Sequence, residues 1–285
     1  MMNKNVKLDS GSIIENREVA KDHFIMSILL STPCDYGLPG QFIMMRRQGV
    51  KDPLLSRPLS IHGFYQTEAG SVLDFLYRVV GKGTLALSRL SVGEKVDVLG
   101  PLGKPFTLTP ECLQVILIAG GIGVAPLAFY AEYLSKNHLC ASGEPLIVQQ
   151  PIITFYLGAV TDSALLGLKK VQQYSHELKI ATDDGSSGYH GTVTAMMEKD
   201  LDRWNPDTLN IFACGPNPMI KSLAEILKDF PAPCQVSLEE RMACGIGACL
   251  GCSVKLKRGG IDWTYGQVCT DGPVFDIRDI IWSDP

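Results

Sequence analysis

Gln114-Val-Ile-Leu-Ile-Ala-Gly-Gly-Ile-Gly-Val-Ala-Pro126 decides how the chain is read. Residues 115–119 form a continuous apolar run, the pattern of a strand covered on both faces. Gly120, Gly121 and Gly123 then make a tight turn, and Pro126 stands where a helix makes its first turn. The wider stretch from Cys112 to Ala131 has no charged residue and nearly the length of a membrane span. Its glycines and proline instead divide it into a strand, a turn and a helix start.

The same alternation continues outward. A helix is expected over 127–135, a second buried strand over 152–158 and a helix over 162–174. Strands over 178–182 and 209–213 follow, then a helix over 217–230 with Pro218 near its start. Strands alternating with helices predict a doubly wound parallel α/β sheet over 109–230. The segment 137–150 is long for a connection and reads as a surface insertion.

Toward the N-terminus the pattern is strands and turns with little helical periodicity. Residues 24–30, 41–45, 73–80 and 95–99 read as strands, punctuated by Pro39-Gly40, Gly81, Gly93 and Gly100-Pro101. This predicts an antiparallel β-barrel over 1–108. Toward the C-terminus, Pro231-Ala-Pro233 reads as a linker that isolates a third unit over 231–285. So small a unit seldom folds without a staple.

Composition bounds the function. The chain has 285 residues, enough for two domains and a small third. With 46% hydrophobic and 20% charged residues it reads as globular. A net charge of −4 gives no basic surface for nucleic acid or an anionic membrane. The opening MMNKNVKLDSGS has no apolar core, so no secretory leader is expected and the cytoplasm is the expected compartment. An odd count of nine cysteines argues against a disulfide framework. Cys34, Cys112, Cys140, Cys214 and Cys234 are scattered, whereas Cys244, Cys249, Cys252 and Cys269 share one short window.

That window reads Cys244-Gly-Ile-Gly-Ala-Cys249-Leu-Gly-Cys252, with Cys269 after sixteen intervening residues. The spacing C-x4-C-x2-C and a distant fourth Cys is that of a plant-type [2Fe–2S] site. Thiolates must point inward from a short loop while backbone N–H groups face the sulfurs. Gly245, Gly247, Ala248 and Gly251 are small enough to permit it. Structural zinc is the alternative, although zinc sites usually combine two close pairs and only Cys249 and Cys252 form one here.

Two further constellations suit dinucleotides. Arg57-Pro58-Leu59-Ser60 begins a barrel strand, Tyr77-Arg78-Val79 lies on another, and Gly81-Lys82-Gly83-Thr84 follows it. An Arg and a turn ending in Gly-Thr can hold a diphosphate, and Ser60 can reach a flavin ring nitrogen. Gly120, Gly121, Gly123 and Pro126 offer a pyrophosphate-binding turn and helix start, without the G-x-G-x-x-G fingerprint. Cys214-Gly215-Pro216 ends a later strand of the same sheet, where Cys214 can approach a nicotinamide.

The Arg-x-x-Ser strand, the Gly-Gly-x-Gly turn and the Cys-Gly-Pro strand end together resemble the ferredoxin–NADP reductase superfamily over 12–230. The string from Glu240 to Cys252 resembles the electron-transfer subunits of bacterial NAD-linked dihydroorotate dehydrogenases, extending the likeness to nearly the whole chain.

The resemblance implies an FAD barrel domain, an NAD domain and a small [2Fe–2S] domain. Arg57, Pro58, Leu59, Ser60, Tyr77, Arg78 and Val79 would contact FAD, with Gly83 and Thr84 on its diphosphate. Gly120, Gly121, Gly123, Pro126, Gly215 and Pro216 would handle NAD, with Cys214 as the catalytic residue. Cys244, Cys249, Cys252 and Cys269 would hold the cluster. The implied partner is an FMN-containing dihydroorotate dehydrogenase catalytic subunit, joined in a heterotetramer of paired subunits for pyrimidine biosynthesis. Electrons would pass through the cluster and FAD to NAD+. A reductase component of an oxygenase, or another flavoprotein complex with these parts, is the alternative. Leu59 departs from the superfamily, which often has Tyr there. Asp162 follows the second buried strand with no Arg nearby in sequence, which favours NAD over NADP.

Overall fold

The computed structural model describes residues 6–32, 37–136, 150–258 and 261–282. Cys34, Cys140 and all of the 137–150 segment except Gln150 lie outside these. Backbone contacts divide the chain into two compact units. The first comprises Met1–Pro105, Glu240–Val254 and Gly266–Pro273, and the second Phe106–Glu239, Lys255–Tyr265 and Val274–Pro285.

The first unit is built on β1 (Lys7–Ala20), β2 (His23–Leu30), β3 (Phe42–Arg47), β4 (Arg57–Ser60), β5 (Gly63–Thr67), β6 (Gly70–Arg78), α1 (Lys82–Ser88) and β7 (Lys95–Leu102). The strands form one antiparallel sheet in the order β4-β3-β7-β1-β2-β6-β5. The sheet curls until its two ends share a segment. Ile61 N–H donates to Gln41 O at 3.1 Å, and His62 N–H donates to Asp74 O of β6 at 2.8 Å. β4 is bonded on one side by β3, and Pro58, which has no N–H to give, is tolerated on such an edge. Met26, Ile28, Phe75, Met45 and Val98 fill the interior.

The second unit contains β8 (Gln114–Gly120), α2 (Val124–Lys136), β9 (Ile152–Ala159), α3 (Leu168–Tyr174), β10 (Glu177–Thr182), β11 (Tyr189–His190), α4 (Val193–Glu198), β12 (Leu209–Cys214), α5 (Asn217–Ile226) and β13 (Cys234–Ser237). These strands are parallel in the order β11-β10-β9-β8-β12-β13. The chain builds leftward from β8 to β11, then returns to the other side of β8 with β12. That reversal opens a crevice at the C-terminal ends of β8 and β12. Phe106, Tyr130 and Phe212 pack ring against ring at 4.8–5.6 Å, so the unit starts at Phe106. The buried Asn210 accepts from Thr109 N–H at 2.8 Å and fixes the entering segment.

The tail, expected as a third unit over 231–285, contributes segments to both compact units. β14 (Ser253–Arg258) and β15 (Ile261–Gln267) form a two-stranded ribbon, and β16 (Val274–Asp276) pairs antiparallel with β13. The Pro231–Pro233 segment is not a free linker. Ala232 is fully buried, Pro233 O accepts from Ile211 N–H at 2.9 Å, and Arg278 donates to Phe230 O and Ala232 O. The reason is edge protection: without β13 and β16, β12 would leave a buried-type strand unpaired. The cysteine-bearing segments join the curled sheet instead.

Smaller differences have local causes. The helix expected over 162–174 is a short turn at 162–164 and then α3, because Gly167 adopts φ 67° between them. The last helix of the sheet ends at Ile226 rather than 230. The uncharged stretch 112–131 is indeed strand, turn and helix start. Among the described residues no helix is long and apolar enough to cross a membrane.

Candidate functional site

The four clustered cysteines lie in the first unit, held by the tail's own hydrogen bonds. Between Cys252 and Cys269 lie β14 and β15, which pair as a two-stranded ribbon. Val268 N–H donates to Cys252 O at 3.0 Å, bringing Cys269 beside Cys252. Gln267 donates from Nε2 to Gly247 O at 3.1 Å, and its N–H donates to Asp271 Oδ2 at 2.8 Å. Lys104 N–H donates to Gly272 O at 2.7 Å, fastening the returning segment to the curled sheet.

The thiols fall into two pairs by their effect on each other's ionisation: Cys249 acts on Cys244, and Cys252 on Cys269. Among the described residues no group of three or more His, Cys, Asp or Glu gathers as a single metal ion would need. Two pairs from one loop and its return match a two-iron cluster, in which each iron takes two thiolates. Burial works against ionisation of Cys244, but N–H groups of Ile246, Cys249 and Ala248 and the Cys249 thiol outweigh it and bring its pKa down to about 7. Burial pushes Cys269 up to about 12, with the neighbouring Cys252 thiol adding to the effect. Gly245 and Gly247 have φ 73° and 82°, which glycine alone adopts without cost. Leu250 holds φ 57° while 64% exposed, an apolar residue kept in the left-handed region between two cysteines. The residues present therefore fit a [2Fe–2S] group.

Arg57 and Gly83 meet at one end of the curled sheet. A Cβ at Gly83 would lie 2.0 Å from Arg57 Nε, so only glycine lets the guanidinium cross the first turn of α1. Arg57 Nη1 donates to Leu55 O and Ser56 O, both at 3.2 Å. A cavity opens beside them, bordered also by Met45, Arg47, Asp52 and Ala86. Thr84 is turned inward: its Oγ1 accepts from Val80 N–H at 3.0 Å and Gly81 N–H at 3.3 Å. The Gly81–Thr84 stretch, read as a turn, is the start of α1. Leu59 is buried, while Pro58 and Ser60 are half-buried.

Tyr77 and Arg78 end β6, and Val79 follows it. Tyr77 is buried against the Phe24 ring, and its hydroxyl donates to Asn16 Oδ1 at 3.1 Å. Burial raises its pKa beyond the ordinary range. Asn16 Nδ2 in turn donates to Leu87 O and Leu90 O, so this chain of contacts sets the position of α1. Arg78 is exposed and Val79 half-buried. Nothing in the residue pattern signalled Asn16. Gln267, two residues before the last cysteine, could have been noticed as an amide in a gap otherwise explained as ribbon.

In the second unit the glycines at the crevice are packing requirements. A Cβ at Gly123 would fall 2.1 Å from Cys214 O, and one at Gly120 would fall 2.5 Å from Met219 Sδ. Gly121 differs: it has φ 54° and open space where a Cβ would go. Pro126 is buried in the first turn of α2. Cys214 is buried at the end of β12, beside Ser237 in register on β13. Burial, and then the charge of Glu239, raise its pKa far above the ordinary thiol, so it stays neutral. Gly215 is buried and Pro216 exposed at the start of α5. Asp162 lies exposed just after β9, its N–H donating to Ser186 Oγ at 2.8 Å.

A family model described as the iron–sulfur cluster binding domain of dihydroorotate dehydrogenase B matches residues 239–281. One described as an oxidoreductase NAD-binding domain matches residues 117–225. The dihydroorotate dehydrogenase B (NAD+) electron transfer subunit of Desulforamulus reducens is 41% identical over 277 residues, 97% of this chain and 99% of that protein. The subunit of the same name from Clostridium acetobutylicum is 36% identical over 247 residues, 86% of this chain and 87% of that protein. Among solved structures, an NADH-dependent reduced ferredoxin–NADP oxidoreductase described for flavin-based electron bifurcation has a TM-score of 0.78 at 29% identity, covering 95% of this chain and 90% of that one. A ferredoxin–NADP+ reductase from Neisseria gonorrhoeae with bound FAD and NADP shares the fold, with a TM-score of 0.60 at 14% identity over 80% of this chain and 92% of that one.

Proposed function

The chain belongs to the family of dihydroorotate dehydrogenase B (NAD+) electron transfer subunits, and from that membership we propose that it delivers electrons from a dihydroorotate-oxidising catalytic subunit to NAD+ in pyrimidine biosynthesis. The observation that carries the reading is the two thiol pairs, Cys244 with Cys249 and Cys252 with Cys269, set in a loop of backbone donors. When bound, a [2Fe–2S] cluster exchanges single electrons, and FAD couples them to hydride exchange with NAD+.

The chain's own residues have these roles. Cys244, Cys249, Cys252 and Cys269 would hold the cluster, and the N–H groups of Ile246, Ala248 and Cys249 would offset the charge on sulfur. Arg57 pairs with the FAD diphosphate at the cavity it shares with Gly83, and Ser60 hydrogen-bonds the flavin ring. Pro58, Leu59, Tyr77, Arg78 and Val79 border the same cofactor. Thr84 acts by organising the first turn of α1, which orients the Gly83 backbone. Gly120, Gly121, Gly123 and Pro126 shape the turn for the NAD pyrophosphate. Cys214 meets the nicotinamide as a neutral thiol, flanked by Gly215 and Pro216. Asp162 disfavours a 2′-phosphate and so selects NAD over NADP.

The partner is an FMN-containing catalytic subunit, in a heterotetramer of paired subunits that works in the cytoplasm. The test is reconstitution. The isolated chain is expected to oxidise NADH with a dye acceptor and to leave dihydroorotate untouched. Mixed with the catalytic subunit, it is expected to support dihydroorotate-dependent reduction of NAD+. Turnover of dihydroorotate by the chain alone would overturn the reading, as would a kcat/KM strongly favouring NADP for the nucleotide assignment.

A further inference from the structure

β3 breaks the alternation expected of a half-covered antiparallel strand. Phe42, Ile43, Met44 and Met45 are all buried. Met45 pairs in register with Val98 on the interior side. Phe42 and Met44 point to the opposite face, and the cysteine-bearing tail covers them there. A Cβ at Gly245 would lie 2.5 Å from Met44 Cγ, 3.1 Å from Met44 Sδ and 3.2 Å from Leu102 Cδ1. A Cβ at Gly103 would lie 2.3 Å from Pro273 Cδ and 3.0 Å from Phe42 Cε1. The tail is therefore seated on this strand at two places with no room for a methyl group at either.

The seat has direct neighbours on both sides. Gly245 follows Cys244 in the loop. Met44 is the register partner of Pro58, and Phe42 that of Ser60, on β4. A chain of contact thus runs from Cys244 through Gly245 and Met44 to the strand that begins at Arg57. Each link is a covalent bond, a van der Waals contact or a strand pairing.

We propose that Met44, packed between Gly245 and Pro58, is a positioning residue that sets the separation across which electrons pass between the cluster and the flavin. This rests on the reading that the cysteine loop holds the cluster and β4 the flavin. Each passage moves a single electron, oxidising the cluster by one electron and reducing the flavin by one. Successive passages supply the pair that leaves with a proton as hydride to NAD+. An unbranched thioether fills the gap under Gly245, which offers no side chain of its own, and packs without a fixed shape. Truncating it leaves a cavity over which the loop can shift.

The experiment compares Met44→Ala, Met44→Leu and Leu102→Ala in the full chain carrying flavin and cluster. Iron and sulfide contents and the electron paramagnetic resonance spectrum of the reduced cluster report whether the cluster is intact. Rapid-freeze measurements then follow cluster reduction by NADH. The expected result is a cluster of unchanged content in Met44→Ala, unchanged NADH–dye turnover, and several-fold slower reduction of the cluster. Met44→Leu restores the rate, and Leu102→Ala, which loosens the same seat from β7, slows it even should Met44→Ala fail to fold. Cluster reduction at the wild-type rate in variants with full iron content would overturn the proposal and leave the functional reading standing. Wild-type protein without iron and sulfide would overturn the reading itself.

Discussion

Arg57 lies across Gly83 so closely that a single added methyl would sit 2.0 Å from its Nε. The pair joins β4 to the first turn of α1 and borders a cavity of its own. Gly83 leaves room for a guanidinium to cross, and in the proposed function that guanidinium offers the FAD diphosphate a forked donor. Gly83→Ala therefore displaces Arg57 from that position. FAD affinity, followed by flavin fluorescence, is expected to fall about tenfold, the worth of one charged hydrogen bond. Unchanged affinity would show that Arg57 works from elsewhere.

Gly123 poses a stricter requirement, because its neighbour is backbone. A Cβ there meets Cys214 O at 2.1 Å, and no rotamer change relieves the clash. Gly123→Ala is expected to destabilise the protein by about 2 kcal/mol or more. Thermal unfolding should show a Tm lower by about 5 °C, with weakened NADH binding.

The cluster assignment separates the cysteines sharply. Cys269→Ser removes a ligand and should abolish the iron–sulfur absorption while NADH–dye activity persists. Cys112→Ser and Cys234→Ser alter buried thiols far along the chain and should leave iron content unchanged. Loss of iron in either of these, with the fold intact by circular dichroism, would contradict the ligand set.

Glu132 ties α2 to α3. It accepts from Lys136 at 2.5 Å and lies 2.7 Å from Lys170 Nζ. Burial acts to raise its pKa, but the hydrogen bonds and charges of the two lysines prevail and hold it below the ordinary 4.5. A lowered folded value means stability that is fully present above 4.5 and lost as pH falls through the folded value. Wild type should exceed Glu132→Gln by about 1 kcal/mol at neutral pH. Denaturant titrations should show the two converging in acid; a gap that persists there would refute the assignment.

Much of this was legible in residue patterns, and the failures are instructive. The apolar run of β8 and the glycines after it announce a buried parallel strand and its turn, and the spacing of Cys244, Cys249, Cys252 and Cys269 carries the proposal of two-iron chemistry in the stretch that the iron–sulfur family model matches. β1 was invisible because Lys7–Ala20 is largely polar and partly exposed; it is a strand through pairing with β2 and β7 on both sides. α1 hid behind Gly81 and Gly83, which read as a turn although Thr84 caps the helix. α4 could have been found from Thr192 as N-cap before Val193, Met196 and Met197. The tail misled most. Proline on both sides of Ala232 looks like a linker, and only the sheet's need for another strand beside β12 shows that it is not. The seat for the cysteine loop was written in the unbroken apolar run of β3, but which partner covers the second face is a tertiary fact.

The most direct measurement is the cofactor content of the chain purified without oxygen. The expected result is about two iron and two acid-labile sulfide per chain, together with FAD, and bleaching of both absorptions on adding NADH. A colourless protein holding zinc, with neither sulfide nor flavin, would contradict it.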